Sequence, residues 1–593
     1  MEMLLIVLGS AVLLTLAYWI YGPILSRLFQ LDDSRSTPAV ALRDDMDYSP
    51  CSPGALLCQH FSAIAAAGPI VGPIVAGLAW GWGPALLWIL VGSVFIGGVH
   101  DFSALVASIR HRATSITMVV SQHVSNRAYY LFLGFVWLAL MYIVVAFTDI
   151  TAGMFVGALD LQTSTRYPSV SQALAAENVD PTLVVQSGSV ATSSLLYLCL
   201  PFLMAPLLRM GHKWLSLLIF VPLTGVVILI GPSIPLNLDE IIRSWKPDLS
   251  PAEAAAMAVR SWDVFLLLYC AVASLLPNWL LMQPRGMLGG VFLIAALLSC
   301  AVGVVSGAFL DSNQVQLPMF VGFSSLKGQP LFPFLFIVIA CGACSGFHSL
   351  IASATTSKQL PTERSARVIG YGTMLLEAMV AILSLCCVMQ IASGSPLSEA
   401  DPNFIYAKGI SSFLSLVGIS PAVGLIFALM AFNTFIYDTL DTCTRIGRLT
   451  LQELTGWKGW GGRCFGTLMS TIVPLYFLTR PTVSGKPIWK EYWELFGASN
   501  QLLAALSLLA VTVWLWRTYR ARWVFLVTGI GGCVMFIMSS WALVTLLLNR
   551  AKNPADPVVW IAGLLLVLAA ALLIEAVAAV FRTSPQLAVD SKQ

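Results

Sequence analysis

Charged side chains are scarce in this sequence. Only 10% of its 593 residues are Asp, Glu, Lys or Arg, whereas 58% are hydrophobic. Soluble domains average roughly 25% charged residues, so this chain has too few charges to solvate a globule of its length. The composition suits a protein that is surrounded mostly by lipid, and it argues against a soluble enzyme.

Two further absences narrow the function. The net charge is only +3, and the chain has neither a run of Lys and Arg nor zinc-finger spacing, so no nucleic-acid partner is predicted. The twelve cysteines are scattered, and Cys341 and Cys344 lie in an apolar run, where cysteine behaves as a small hydrophobic residue. Clustered pairs of ligands are missing, so we predict no metal site and no cofactor.

Fifteen apolar runs are long enough to cross a bilayer as helices, which predicts an all-α polytopic membrane protein. They lie near residues 2–22, 61–79, 84–109, 128–158, 193–209, 213–231, 262–283, 287–309, 331–354, 367–392, 410–435, 463–479, 497–516, 522–548 and 557–581.

The basic residues are distributed unequally between the loops on the two sides of the predicted membrane. The loops after the odd-numbered spans, with the C-terminal tail, hold 21 of the 32 Lys and Arg residues, and the opposite loops hold the other 11. The positive-inside rule then predicts a cytoplasmic C-terminus and a periplasmic N-terminus. Because these loops account for every basic residue, we expect none inside a span.

The second span carries two Gly-Pro pairs, Gly68-Pro69 and Gly72-Pro73, in the middle of an apolar run. Each proline removes an N–H donor and clashes with the preceding turn. We therefore predict a helix broken at 68–73. Irregular backbone persists in a membrane only where protein or a water-filled cavity satisfies it, and many secondary transporters build their substrate sites from such breaks. A simple proline kink is the alternative.

A second interruption is predicted five spans later, at Pro277-Asn278 in the span 262–283. That span runs in the opposite direction, and two inverted, interrupted spans indicate an inverted five-helix repeat. The predicted organisation is an N-terminal span and cytoplasmic loop (1–60), a first repeat (61–231), a second repeat (262–435), and a cytoplasmic amphipathic segment followed by C-terminal spans (436–593).

The span 331–354 contains Ser345, His348 and Ser349 at positions i, i+3 and i+4. This spacing predicts one polar helix face. We expect that face to pack against the broken helix and to offer two hydroxyls and an imidazole to a cation or a proton.

Four acids are predicted inside spans: Asp101 beside His100, Asp149, Glu377, and Glu575 near the cytoplasmic end of the last span. A charge at the bilayer centre costs about 2.5 kcal/mol or more, so such residues indicate function by default. Without basic residues in the spans, only the imidazoles of His100 and His348 are available as internal partners. We predict proton carriers among these acids, with a neutral hydrogen-bonded carboxyl as the alternative for each.

Two other polar stretches adjoin the spans. In Asn433–Thr442 the acids precede Arg445 and Arg448 at helical spacing, which indicates a salt-bridged amphipathic helix or a gate near the cytoplasmic face. Ser499–Gln501 open a predicted span, and we interpret them as its N-terminal cap.

Five long motifs, in order over about 60–509, resemble the carbon starvation protein A (CstA) family: HFSAIAAAGPIVGPIVAGLAWGWGPALLW (60–88), VHDFSALVASIRHRATSI (99–116), CGACSGFHSLIASATTSKQL (341–360), DTLDTCTRIGRLTLQEL (438–454) and ELFGASNQLLAALSLL (494–509). The resemblance implies a LeuT-like transporter with extra terminal spans in a bacterial inner membrane. It implies uptake of a small-molecule substrate, pyruvate or short peptides, driven by protons or another monovalent cation.

Two alternatives to a transporter stay open. A membrane-embedded hydrolase would need a Ser–His pair on neighbouring helices or a His-Glu-x-x-His zinc motif, and the sequence has no such motif. A nutrient receptor without transport would need an output domain, and the longest cytoplasmic segment, about 23–60, is too short for one.

The broken-helix argument supplies the candidate site. The predicted substrate-binding residues are Ala67, Gly68, Pro69, Gly72, Pro73, Asn278, Ser345 and Ser349, and the predicted coupling residues are His348, Asp149, Asp101, His100 and Glu377.

Overall fold

The computed structural model describes residues 1–44, 48–177, 179–310, 314–392, 394–457, 459–480, 487–553 and 556–581. Within these ranges the chain is almost entirely helical, as the apolar runs predict. The one sheet in the described residues joins the short antiparallel strands β1 (Ala158–Asp160), β2 (Arg166–Tyr167) and β3 (Val184–Gln186) in the order β2-β1-β3, with Ala158 opposite both Tyr167 and Gln186.

The helices of the first half are α1 (Glu2–Leu28), α2 (Pro38–Ala41), α3 (Pro53–Ile64), α4 (Gly68–Trp80), α5 (Trp82–Gly92), α6 (Gly98–Arg110), α7 (Ile116–His123), α8 (Asn126–Met154), α9 (Val170–Ala175), α10 (Ser187–Arg209), α11 (Lys213–Ile230), α12 (Leu238–Trp245), α13 (Pro251–Leu275) and α14 (Met282–Phe309). Those of the second half are α15 (Leu331–Val338), α16 (Gly346–Ile351), α17 (Thr373–Met389), α18 (Pro402–Ser415), α19 (Pro421–Thr455), α20 (Gly459–Thr479), α21 (Ile488–Tyr519), α22 (Ile530–Arg550) and α23 (Pro557–Phe581).

Fewer helices qualify as spans than the fifteen predicted. In the described ranges twelve are long and apolar enough to cross a membrane, or thirteen when the bent pair α3–α4 counts as one. The two predicted spans outside this group are 463–479, which lies within α20, and 331–354, which consists of short helices. The all-helical, multi-pass class is confirmed, and the count of fifteen is not.

The first broken helix consists of α3 and α4, which meet at an angle of 47°. The break is at 65–67, just before the predicted 68–73. Pro69 lies in the first turn of α4, where a missing N–H costs no helical hydrogen bond. Pro73 is accommodated inside α4. The Gly-Pro pairs therefore begin the second half-helix and do not unwind it.

The second broken helix consists of α15 and α16, and residues 339–345 between them are not helical. The prediction of an interruption at Pro277-Asn278 is wrong. Helix α13 ends at Leu275, and both residues lie in the loop before α14. A proline just beyond a helix end is common because it cannot continue the helix.

The two broken helices touch at their breaks through the glycines of α4. A Cβ on Gly68 would lie 2.3 Å from Cys341 Sγ, and a Cβ on Gly72 would lie 2.4 Å from the Val338 carbonyl oxygen. The second contact is with backbone at the end of α15, which cannot turn aside as a side chain can. The glycines of the Gly-Pro pairs thus serve the close approach of two helices.

Six candidate membrane spans lie between the two broken helices. If each broken helix crosses the membrane once, the two therefore point in opposite directions, as an inverted repeat requires. We infer that the second repeat begins at α15 and not at 262. Equivalent contacts support this inference: α14 packs on α3 of the first broken helix, and α21 packs on α16 of the second. Between the two halves, α8 packs on α19 and α13 packs on α20. The predicted boundaries after 60 and 435 fall inside α3 and α19.

The contact between the breaks predicts that replacement by alanine destabilises the protein at one glycine and not at another. Gly72→Ala should lower the stability of the detergent-solubilised protein by about 1–3 kcal/mol, because its methyl group overpacks against the Val338 backbone. Gly134→Ala is the matched control, since a Cβ there meets nothing within 4 Å on α8. Thermal unfolding of both variants is the measurement. Equal melting temperatures would contradict the packing role of Gly72.

Candidate functional site

His348 lies in the first turn of α16, directly after the second break, and two carboxylates face its imidazole. Nδ1 lies 2.7 Å from Asp101 Oδ2 of α6, and Nε2 lies 3.3 Å from Glu377 Oε2 of α17. All three side chains are fully buried. The carbonyl of Ile64, the last residue of α3, is also close to this imidazole. Three predicted coupling residues thus meet beside both broken helices.

His100 completes this histidine–carboxylate cluster. Its Nδ1 lies 2.8 Å from Asp101 Oδ1, on the oxygen that His348 does not use. An ionised carboxylate only accepts hydrogen bonds, so both imidazoles donate to it from Nδ1. Asp101 therefore orients His348 and leaves the Nε2 atom of that ring facing Glu377.

The contact between His348 and Glu377 joins two groups that can each bind a proton. With Nδ1 protonated, Nε2 is a donor in the imidazolium form and an acceptor in the neutral form. An imidazolium Nε2 can donate to Glu377 whether that carboxyl is ionised or neutral, and a protonated Glu377 can donate to a neutral ring. Within the described part of the chain, neither carboxyl oxygen of Glu377 has a hydrogen-bond partner, and the ion-pair contact with His348 Nε2 is its one charged contact that the structure gives. The state of this carboxyl therefore depends on His348.

Burial makes the net charge of the cluster decisive, because an uncompensated ion inside a protein costs several kcal/mol. The charges cancel when Asp101 is ionised, His348 carries both protons and Glu377 is neutral. Loss of one proton leaves a negative charge without a counterion. The net charge of the closed cluster therefore depends on how many protons it holds.

Irregular backbone supports all three helices of the cluster. One π-helical turn, 93–97, precedes α6, a second, 352–356, follows α16, and a third, 367–372, precedes α17. Such turns are frequent at functional sites. Gly97 admits the Ala343 carbonyl, since a Cβ there would lie 2.3 Å from its oxygen. The second break therefore packs directly on the helix that carries Asp101.

A second buried network holds the first broken helix against α14 and α19. Arg285 of α14 forms ion pairs with Asp438 and Asp441 of α19. Ser62 of α3 donates to Asp438, and the Tyr269 hydroxyl lies 3.0 Å from Asp441 Oδ2. Because one fully buried guanidinium bridges both carboxylates, this network links α3, α13, α14 and α19.

Arg285 contradicts the expectation that no basic residue lies inside a span. Helix α14 begins at Met282, five residues before the predicted span 287–309, so Arg285 lies within the helix. Asp438 and Asp441 also do not belong to a separate amphipathic segment, because α19 is one helix of 35 residues. Sequence reasoning did not assign these three residues to the site. The available signal was the i, i+3 acid pair, which places two carboxylates on one helix face.

The predicted polar face of Ser345, His348 and Ser349 is not formed. Helix α16 begins one residue after Ser345, which lies in extended backbone. Its Oγ lies 3.0 Å from Asn500 Nδ2, and Ser349 Oγ lies 3.0 Å from Ser507 Oγ. Both serines therefore face α21, whereas His348 faces α6 and α17.

Asn500 is a site residue that the sequence interpretation misplaced. Helix α21 begins at Ile488, so Ser499–Gln501 lie well inside it and do not cap it. The Asn500 Oδ1 atom accepts the backbone N–H of Phe347, at 2.9 Å. Asn500 thus satisfies a free donor at the beginning of α16, from a neighbouring helix.

Two predicted residues lie away from the cluster. Asp149 Oδ2 accepts the backbone N–H of Trp489 in the first turn of α21, at 2.8 Å, so it satisfies an end of that helix. Asn278, in the loop between α13 and α14, accepts from Arg445. Of the five predicted coupling residues, the structure brings together four and leaves out Asp149.

Known proteins resemble this chain over most of its length. The family described as carbon starvation protein CstA matches residues 2–397 and 390–542. A peptide transporter CstA of Helicobacter pylori is 30% identical, over 87% of this chain and 78% of that protein. The pyruvate/proton symporter BtsT of Escherichia coli is 28% identical, over 91% and 81%. The crystal structure of MhsT with L-phenylalanine aligns at a TM-score of 0.47 and 12% identity, over 89% and 99%.

The matched ranges include both broken helices, the histidine–carboxylate cluster and the Arg285 network. They also include all five motifs that carry the resemblance seen in the sequence. The chain belongs to the carbon starvation protein CstA family.

Proposed function

We propose that this protein is a secondary transporter that imports a small carboxylate such as pyruvate, or a short peptide, together with protons across a bacterial inner membrane. The observation that carries the proposal is the buried contact of His348 with Asp101 and Glu377, beside both broken helices. Relatives named as peptide transporters and as a pyruvate/proton symporter support the same class of activity.

The geometry supports coupling by alternating access. A protonated cluster is neutral, so the helices that carry it can separate from or close on the breaks without burying a free charge. Deprotonation on the cytoplasmic side leaves a negative charge that favours hydration and an open path. Cargo binding and protonation then favour the same closed state, which couples the two.

We place the cargo at the two breaks, next to Ala67 and Ser345. Residues 65–67 and 339–345 are not helical, and the N-terminal end of α4 carries the positive end of its dipole. Gly68, Gly72 and Ser349 contact neighbouring helices, so we assign them to packing.

The hydrolase alternative is not supported by the geometry. A nucleophilic serine needs a base within hydrogen-bond reach. Ser345 is hydrogen-bonded to Asn500, and His348 to Asp101. The imidazole is therefore engaged with carboxylates and does not activate the hydroxyl.

Replacement of the coupling carboxyl should separate coupling from transport. Glu377→Gln mimics the protonated side chain, so we expect proteoliposomes with this variant to lose pH-driven accumulation of labelled cargo, down to the level of protein-free liposomes. Exchange of cargo between equal pools should continue, because it needs no net proton movement.

Asp149→Asn is the matched control for this experiment. It makes the same acid-to-amide change in the same bundle, and its amide oxygen can still accept the N–H of Trp489. We expect normal pH-driven accumulation. If Glu377→Gln also accumulates cargo at the wild-type rate, its carboxyl is not the coupling group.

The orientation of the chain is part of the proposal. The side with 21 of 32 basic residues is assigned to the cytoplasm, although the structure moves Arg285 from that side into α14. Green fluorescent protein fused after Gln593 should fluoresce. Alkaline phosphatase inserted in the loop between α14 and α15 should be active because that loop is predicted to be periplasmic. The reverse pattern would contradict this orientation.

A further inference from the structure

A large cavity lies apart from the histidine–carboxylate cluster, at the end of the bundle where α13 and α19 finish. Its volume is 530 Å³, and its walls are the loop between α13 and α14, the π-helical turn 352–356, the last turns of α19 and the beginning of α20. With the proposed orientation this end faces the cytoplasm.

The charged side chains that line this cavity have one sign. They are Lys358, Arg445, Arg448 and Arg463, and the described lining contains no Asp or Glu. Arg445 and Arg448 are each only 8% exposed, so they lie inside the cavity wall and not on the membrane surface. The acids nearest to these cations in sequence do not line the cavity. Asp441 is paired with Arg285, Glu363 with Arg110, and Glu453 is hydrogen-bonded to Tyr129 at 3.2 Å.

The cavity continues toward the first break. A smaller pocket of 40 Å³ shares Asn278, Thr355 and Thr442 with it and reaches His60 and Asp438. Both His60 and Asp438 are buried, next to the first broken helix and the Arg285 network. The cationic cavity thus lies on a path from the broken helices to one end of the bundle.

The other end of the bundle is held together by charge. Asp401, at the beginning of α18, forms ion pairs with Arg166 and Lys490, which tie strand β2 to the first turn of α21. Burial raises the pKa of the Asp401 carboxyl, but the two cations outweigh it and hold that pKa below its usual range. Ion pairs therefore hold the helices together at the proposed periplasmic end, whereas the proposed cytoplasmic end contains the cavity.

We propose that this cavity is the cytoplasmic vestibule of the transport path and that its four cations select an anionic cargo, a small organic carboxylate, over a zwitterionic peptide. The inference rests on the proposed function and names its substrate class. A cleft lined by one sign of charge, with low-dielectric walls, concentrates ions of the opposite sign. A monocarboxylate carries net negative charge, whereas a dipeptide with free ends carries none.

The test measures transport from each face separately. Inside-out and right-side-out membrane vesicles expose the cytoplasmic and periplasmic faces, and the labelled probes are pyruvate, its uncharged methyl ester and dialanine. The variants are Arg448→Gln and, in case that buried change disturbs folding, the double variant Lys358→Gln with Arg463→Gln. Lys327→Gln is the matched control, because its side chain is 83% exposed in the loop between α14 and α15.

For both vestibule variants we expect the KM for pyruvate at the cytoplasmic face to rise by about tenfold, while the KM at the periplasmic face stays unchanged. Arg448→Lys should restore the cytoplasmic KM because it keeps the charge. High salt should weaken cytoplasmic binding in the wild type more than in the variants.

Two failures are distinguishable. The charge selection alone is overturned if dialanine or the methyl ester shows proton-driven uptake equal to that of pyruvate. It is also overturned if both vestibule variants have the same cytoplasmic KM for pyruvate as Lys327→Gln. Failure of all three probes to accumulate under a pH gradient overturns the proposed function and the vestibule with it.

Discussion

A charge buried in a membrane protein must be neutralised inside the protein, and the arrangement of this bundle follows from that constraint. Lipid offers no hydrogen bond, so each ionisable side chain in the interior needs a partner on a neighbouring helix. His348 meets Asp101 and Glu377 across three helices, and Arg285 meets two carboxylates of α19. Both groups adjoin a break, where helical hydrogen bonding stops and the backbone can change direction.

The two groups differ in whether their charge can change. Arg285 does not lose its proton in a protein, so its ion pairs are a permanent connection between α14 and α19. Imidazole and carboxyl groups exchange protons, so the connection between α16 and α17 depends on proton occupancy. We infer that the first network anchors the bundle and that the second one switches. The glycines of α4 and the π-helical turns bring the broken helices close enough for the switch to act on both.

The sequence predicted the class of fold, the first broken helix and four of the residues that meet in the cluster. These features stand out in the sequence because Gly-Pro pairs and acids in apolar runs are costly unless the fold uses them. It misplaced the first break because proline is tolerated in the first turn of a helix. It missed the second break because 339–345 contains no proline, and it missed the role of Arg285 because only tertiary packing reveals a partner 153 residues away.

The central claim is that Glu377 takes up the coupled proton from its place beside His348. Difference infrared spectroscopy of the reconstituted protein tests it directly, because a protonated carboxyl group absorbs apart from an ionised one. The account predicts that addition of cargo changes the band of a protonated, buried carboxyl and that this change is absent in Glu377→Gln. A cargo-induced carboxyl band that persists unchanged in Glu377→Gln would contradict the account.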